Sequence, residues 1–302
     1  MFTKDSRLLN NRLTVPLTSV SKAVGDVFKP TLNQLIKSLF ANGEQGFFYD
    51  LNDLSTLYQD TAGTTPVTGA GKVVGLVLDK SKGLVLGPEL VVNGTFDTDT
   101  AWAKNTGVTI SGGVANINTA ATAYAIAQSP SVPANRFYKV TYTVSSYTSG
   151  GIRCVVGGTS SLIRNQVGTY TEYVISAGSS TIQLASSGGF VGSVDNFYVK
   201  EIKGNHAYQT TSSMRPLLVA SPQRLDFDTV DDKLITTLPA QLTGCTIIRS
   251  VPNIGTQILT GQTIPTPYND STDHCGLIVI NRALTTAETA QIAQLFNKAA
   301  GV

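Results

Sequence analysis

Histidine is nearly absent from this 302-residue chain. There are two, His206 and His274, too far apart for a zinc-ligand spacing or a histidine-based metalloenzyme. Cysteine is scarce as well. Cys154, Cys245 and Cys275 are an odd number and too few for a disulfide framework, so they read as reduced, small core residues. Charged residues make up only 14%, against roughly 25% in an ordinary globular protein, and the net charge is +2. That balance excludes an acidic disordered tail and the basic footprint of a nucleic-acid binder. No apolar window approaches 18 residues, so no membrane-spanning helix is expected. The first eleven residues hold Lys4, Asp5 and Arg7 without the apolar run of an export signal. There is no GxSxG, no Walker loop and no dinucleotide fingerprint.

What is abundant is threonine, 38 residues, and glycine, 28. Both favour strands and tight turns over helices. The fold class expected is mainly β, built from β-sandwich or jelly-roll modules, with an N-terminal arm and short helix and a C-terminal helix.

Four pieces follow one another. Residues 1–41 carry six cations against Asp5 and Asp26, and before Pro30 they read as an extended basic arm. A one-sided helix follows, with Leu32, Leu35, Ile36, Leu39 and Phe40 as its stripe. Such a segment has no core of its own, so it docks either on its own domain or, as an anchor, in a neighbouring subunit. Residues 42–90 read as short strands between turns. Residues 91–203 form a separate β unit containing the only tryptophan, Trp102. Its cleanest strand is Phe137 to Ser145, where Tyr138, Val140, Tyr142 and Val144 alternate with polar residues. Further strands are expected over Gly107–Ser111, Gly113–Asn118, Thr169–Ser176, Ser180–Ala185 and Ser193–Ile202. Turns are expected at Ser149-Gly150-Gly151 and Ser186-Ser187-Gly188-Gly189. Residues 204–302 add strands and end in a helix opened by the capping box Thr285-Thr286-Ala287-Glu288.

The strings Gly43-Glu44-Gln45-Gly46-Phe47-Phe48-Tyr49-Asp50 and Asp53-Leu54-Ser55-Thr56-Leu57-Tyr58-Gln59-Asp60 resemble a module of tailed-bacteriophage virion proteins. The likeness resumes at Gly204-Asn205-His206-Ala207 and Leu225-Asp226-Phe227-Asp228, and closes over Gly276 to Thr285. It implies a concanavalin A-like, laminin-G-like sandwich formed by 42–90 plus 204–302. The 91–203 piece begins Val91-Val92-Asn93-Gly94-Thr95-Phe96-Asp97 and ends Val194-Asp195-Asn196-Phe197-Tyr198-Val199. Both ends are similar to carbohydrate-binding modules of the galactose-binding jelly-roll type, which implies one sandwich inserted in another.

The resemblance further implies a virion protein made in the host bacterial cytoplasm, with other phage virion proteins and host-surface glycans as partners, without nucleic acid or membrane insertion. About 40 residues between Asp232 and Gly276 are few for the strands of a full sandwich, so either the module is trimmed or neighbouring copies complete it; the resemblance to phage fibres implies that the oligomer is a homotrimer. The function implied is a fibre, spike or collar appendage that attaches to glycans. The alternatives are a decoration protein without receptor binding and a glycan-degrading enzyme. Sugar-stacking candidates are Trp102, Tyr124, Tyr147 and Tyr170, which lie near loops or strand ends. The one cofactor the resemblance suggests is a structural Ca²⁺ held by Asn93, Asp97 and Asp195; the alternative is that these residues simply begin and end strands. No catalytic set is expected. Asp226 and Asp228 would stand roughly 6.6 Å apart on one strand face, within glycosidase range, but they belong to a structural string. Asp273-His274-Cys275 reads as a polar turn.

Overall fold

The computed structural model describes residues 31–119 and 124–302. The basic arm ahead of Thr31 lies outside the described residues. Helix α1 (Leu32–Leu39) comes first, then β1 (Gly46–Asp50), β2 (Leu57–Tyr58), β3 (Lys72–Val73) and β4 (Leu76–Val77). The insert contributes β5 (Leu86–Glu89), β6 (Ala103–Lys104), β7 (Val108–Ser111), β8 (Val114–Asn118) and β9 (Tyr124–Gln128). It continues through β10 (Phe137–Val156), β11 (Thr159–Ser160) and β12 (Gly168–Ile175) to β13 (Ile182–Ile202). The outer module resumes with β14 (Ala207–Tyr208), β15 (Leu217–Val219), β16 (Arg224–Asp226) and β17 (Leu234–Thr236). It ends with β18 (Leu242–Val251), β19 (Gly255–Ile264), β20 (Tyr268–Asp270), β21 (Gly276–Ile280) and helix α2 (Thr286–Ala300). Among the described residues, no helix is long and apolar enough to cross a membrane.

The outer module is built on the antiparallel sheet β1-β21-β18-β19. Alternation sends Phe47, Tyr49, Leu277 and Val279 into one core with Leu57, Val77, Leu218 and Leu225 of the smaller sheets. Phe48, Ile248, Ile278 and Ile280 point the other way. Because both faces are covered, β21 reads Gly-Leu-Ile-Val-Ile with no polar residue. The cover on the second face is helical: Leu35, Ile36 and Leu39 of α1 and Ile292 and Phe296 of α2 are all buried there. Both helices start with a capping box, Thr31 with Gln34 and Thr285 with Glu288. This corrects the anchor reading. Leu32, Leu35, Ile36, Leu39 and Phe40 pack on their own domain, because the apolar outer face of β1-β21-β18 would otherwise meet water, and they offer no stripe to a neighbour.

The expected shortage of strands between Asp232 and Gly276 is also corrected. Four strands, β17 to β20, fit there because their connections are short turns. Edge strand β1 is closed within the chain as well. Phe48 N–H donates to Asp79 Oδ1 at 2.8 Å, Phe48 C=O accepts from Lys80 N at 2.9 Å, and Gly46 C=O accepts from Asn205 Nδ2 at 2.7 Å.

The insert has one nine-stranded sheet and a core of its own, including Phe96, Ile117, Val140, Tyr142, Ile152, Leu184 and Phe197. Strand β5, ahead of residue 91, pairs with β13 and so joins this sheet. The strands expected over 137–145 and at 180–185 and 193–202 are portions of two long ones, β10 and β13, antiparallel partners nearly end to end. The Gly- and Ser-rich clusters at 149–151 and 186–189 are therefore not turns. They face each other as irregularities in the ladder, with Gly150, Gly188 and Gly189 all at positive φ. A Cβ on Gly150 would lie 2.3 Å from the Gly189 carbonyl oxygen. Small residues let both strands bend together around the core. Another bulge, at Asp195-Asn196 with Asn196 at φ 53°, switches which residues of β13 face inward: Val194 before it, Phe197 and Val199 after it.

Candidate functional site

Two chain segments cross between the modules, and the junction is polar and buried. Asp79, on the outgoing segment, is fully buried. Its carboxylate accepts from Phe48 N, Ser81 N, Ser81 Oγ and Asn205 N at 2.7–2.9 Å. Its own N–H donates to His206 Nδ1 at 2.8 Å, on the returning segment. That bond makes Nδ1 the acceptor and leaves the ring N–H on Nε2, facing Ile202 C=O at 3.2 Å. Burial raises the Asp79 carboxyl to about 6 against the pull of its donors, and burial lowers His206 to about 4. Gly204 stands against this carboxylate, where a Cβ would lie 2.9 Å from Oδ2. Around the junction Leu76, Leu78, Phe137 and Ile202 form an apolar contact between modules, with Tyr58, Tyr173 and Tyr208 at its margin. His206 packs edge-on to the Phe137 ring, their centroids 4.9 Å apart.

The four sugar-stacking candidates separate. Trp102 is a core residue: it lies between Phe96 and Phe197, at 5.4 and 6.0 Å, and its indole N–H donates to Asn93 C=O at 3.0 Å. The 93–102 loop folds back and delivers this large apolar ring to the insert's interior, so it is no platform. Tyr170 is half-buried. The Arg164 guanidinium covers its ring at 4.6 Å, and its hydroxyl donates to Gln166 C=O at 2.8 Å. Tyr124 and Tyr147 are exposed, at 43% and 37%. They stand opposite Ala185 and Gly192 of β13, at different points along that strand.

The calcium candidates come from segments that do meet. Phe197 N–H donates to Gly94 C=O at 2.9 Å, and a Cβ on Gly94 would lie 2.0 Å from the Phe197 oxygen. Their side chains, however, turn to local partners. Asn93 Nδ2 donates to the carbonyls of Thr98 and Thr100, exposed Asp97 accepts from Thr95 Oγ1, and Asp195 accepts from Asn196 N and Nδ2. As placed, the three do not fit an inward-facing oxygen cage. Among the described residues the one group of three acid, His or Cys ligands within 4.8 Å of one another is Asp228, Asp231 and Asp232. That group is explained by a turn: Asp228 Oδ1 accepts backbone N–H groups from Val230, Asp231 and Asp232, which hold its carboxyl below the usual range. Strand β16 ends at Asp226, so Asp226 and Asp228 do not share a strand face.

His274 corrects the polar-turn reading. It is fully buried and bonds Asp270, not its neighbour Asp273, with Nε2 and Oδ2 2.7 Å apart. Asp273 instead accepts from Phe227 N at 2.9 Å. Arg249 reaches the other Asp270 oxygen at 3.5 Å. With both members sealed in the core, this acid–imidazole pair has no substrate access and serves as structure. The three cysteines are free and buried, as their scarcity suggested, and burial pushes the Cys154 thiol up to about 12.

A surface away from the loops, on the outward face of β10 and β13, carries a further exposed aromatic that strand alternation turns outward. Tyr198 is 37% exposed there, beside Lys139, Lys200, Thr141 and Leu86, around a depression of about 290 Å³.

No protein-family model matches the chain, and no curated protein matches it. Among solved structures, a GH2 beta-galacturonidase from Eisenbergiella tayi bound to galacturonate is similar over 49% of this chain, at 12% identity and a TM-score of 0.19. The chain spans 28% of the length of that enzyme chain, and a likeness at this level assigns neither fold nor activity.

Proposed function

We propose that the chain is a non-enzymatic structural protein of a tailed-bacteriophage particle, a fibre, spike or collar appendage whose inserted jelly roll attaches to host-surface glycans. The observation that supports attachment is the insert's construction. It has a closed core of its own and is fixed to the outer sandwich by a buried polar junction and an apolar contact, while Tyr124, Tyr147 and Tyr198 remain exposed on it. A rigidly held module with outward aromatic rings suits weak single sites that gain strength by multiplicity. The resemblance of its sequence strings to phage virion modules supports the particle assignment. Anchoring then falls to the basic arm ahead of Thr31, since α1 is occupied. Assembly as a homotrimer rests on the same resemblance.

Immunogold labelling of purified particles tests the location, and glycan-array binding by the purified protein tests attachment. Labelled particles and a saturable glycan signal are expected. Labelled particles with no glycan bound favour the decoration alternative. Release of reducing sugar from a bound glycan overturns the non-enzymatic reading.

A further inference from the structure

One pairing on the outward face of the insert is unfavourable taken alone. Lys139 of β10 and Lys200 of β13 are direct cross-strand partners, which sets their Cβ atoms roughly 4.5–5.5 Å apart on one face. Like charges held in this way destabilise an antiparallel pair. Among the described residues, neither ammonium has a hydrogen-bonding or ion-pair partner. The nearby acids are engaged elsewhere. Glu89, opposite Lys200 on β5, accepts from the N–H groups of Val91 and Val199 with Oε1 and buries Oε2 without a hydrogen-bond partner, so it bonds neither ammonium. Glu201 pairs with Lys203, and Glu172 with Arg164. Next along the ladder, Tyr198 stands opposite Thr141, and with Leu86 these residues line the depression described above. Beyond it the face continues as paired hydroxyls, Thr141 with Thr171 at 3.1 Å and Thr143 with Thr169 at 2.9 Å.

We propose that this depression binds an acidic sugar residue of a carboxylated polysaccharide. The Tyr198 ring stacks on the C–H face of the sugar, Lys139 and Lys200 share its carboxylate, and the threonine hydroxyls bond its hydroxyl groups. The proposal rests on the glycan-attachment reading and names the substrate class and the site. A neutral sugar would leave the lysine pair unrelieved. A nucleic acid would need a wider basic footprint than two lysines on a chain of net charge +2.

The test is isothermal titration of the full chain with alginate and with neutral dextran, at low and high salt. Alginate is expected to bind and dextran not. Lys139→Gln and Lys200→Gln should each weaken alginate binding about tenfold and flatten its salt dependence. Tyr198→Ala should weaken it about tenfold as well. Lys139→Gln should melt no lower than the parent, because it relieves a repulsion, so its lost binding is not lost folding. Unchanged alginate binding in all three variants, or equal binding of dextran, overturns the proposal, as does a single-stranded oligonucleotide that displaces alginate from the parent. If Tyr124→Ala or Tyr147→Ala abolishes binding instead, this depression is not the site while attachment stands. An array with no glycan bound overturns both.

Discussion

Asp79 and His206 are joined by one hydrogen bond and carry opposite pH dependences. The folded chain holds a proton on Asp79 up to about 6 against an ordinary 3.8, so this group adds stability as pH falls from 6 toward 4. His206 protonates only near 4 when folded against an ordinary 6.5, so it removes stability as pH falls from 6.5 toward 4. The two shifts are similar in size and oppose each other in the parent. His206→Asn keeps an acceptor for the Asp79 N–H but removes the imidazole. Its unfolding free energy, from urea melts, should be greater at pH 5 than at pH 7 by about 1–2 kcal/mol, a gain that the parent does not show. A variant that instead weakens on acidification would show that Asp79 ionises at its ordinary value. The Gly204-Asn205-His206 string was legible as structural, but the part that the Asp79 carboxylate plays in the junction was not. Its partners Asn205 and His206 lie 126 and 127 residues away, and no local pattern marks a carboxylate that closes a sheet edge at that distance.

Among the elements, α1 was legible from its 3.6-residue stripe, α2 from its capping box and stripe, and the first part of β10 because it alternates. The bends in β10 and β13 were hidden. A Gly-Gly pair serves a turn or a bulge equally well, and only the partner strand decides between them. Gly150→Ala should cost about 1–3 kcal/mol, because it combines a left-handed backbone with a methyl group pressed on the Gly189 carbonyl. Gly112→Ala has φ 65° but nothing within 4 Å of the new methyl, so it should cost less. Thermal melts of the two variants side by side check the difference. Leu39→Ala, in the cover over Phe48 and Ile278, should cost about 2–5 kcal/mol. A negligible effect in a urea melt would mean that α1 is not part of the fold's core.

Across the whole molecule, the nested organisation was expected because the outer strings lie on both sides of the insert, and no pattern marked β5 (Leu86–Glu89), ahead of residue 91, as part of the insert's sheet. The calcium expectation was drawn from two ends that do meet, but whether side chains converge is not written in their spacing. Chelation with EDTA should leave the melting temperature unchanged, and a fall restored by Ca²⁺ would return Asn93, Asp97 and Asp195 to a metal site.

The junction has one more consequence. Lys203 N–H donates to Val85 C=O at 2.9 Å, so the chain leaves the outer sandwich and rejoins it at neighbouring backbone positions. A two-residue Asn-Gly turn joining residue 85 to residue 203 would span that gap. The outer sandwich should then fold without the jelly roll, less soluble because Tyr58, Leu76, Leu78 and Tyr208 lose their cover. Cooperative melting of this shortened chain would make the insert an exchangeable cassette: a different jelly roll could be spliced at the same two positions, changing the outward surface without touching the fold that carries it.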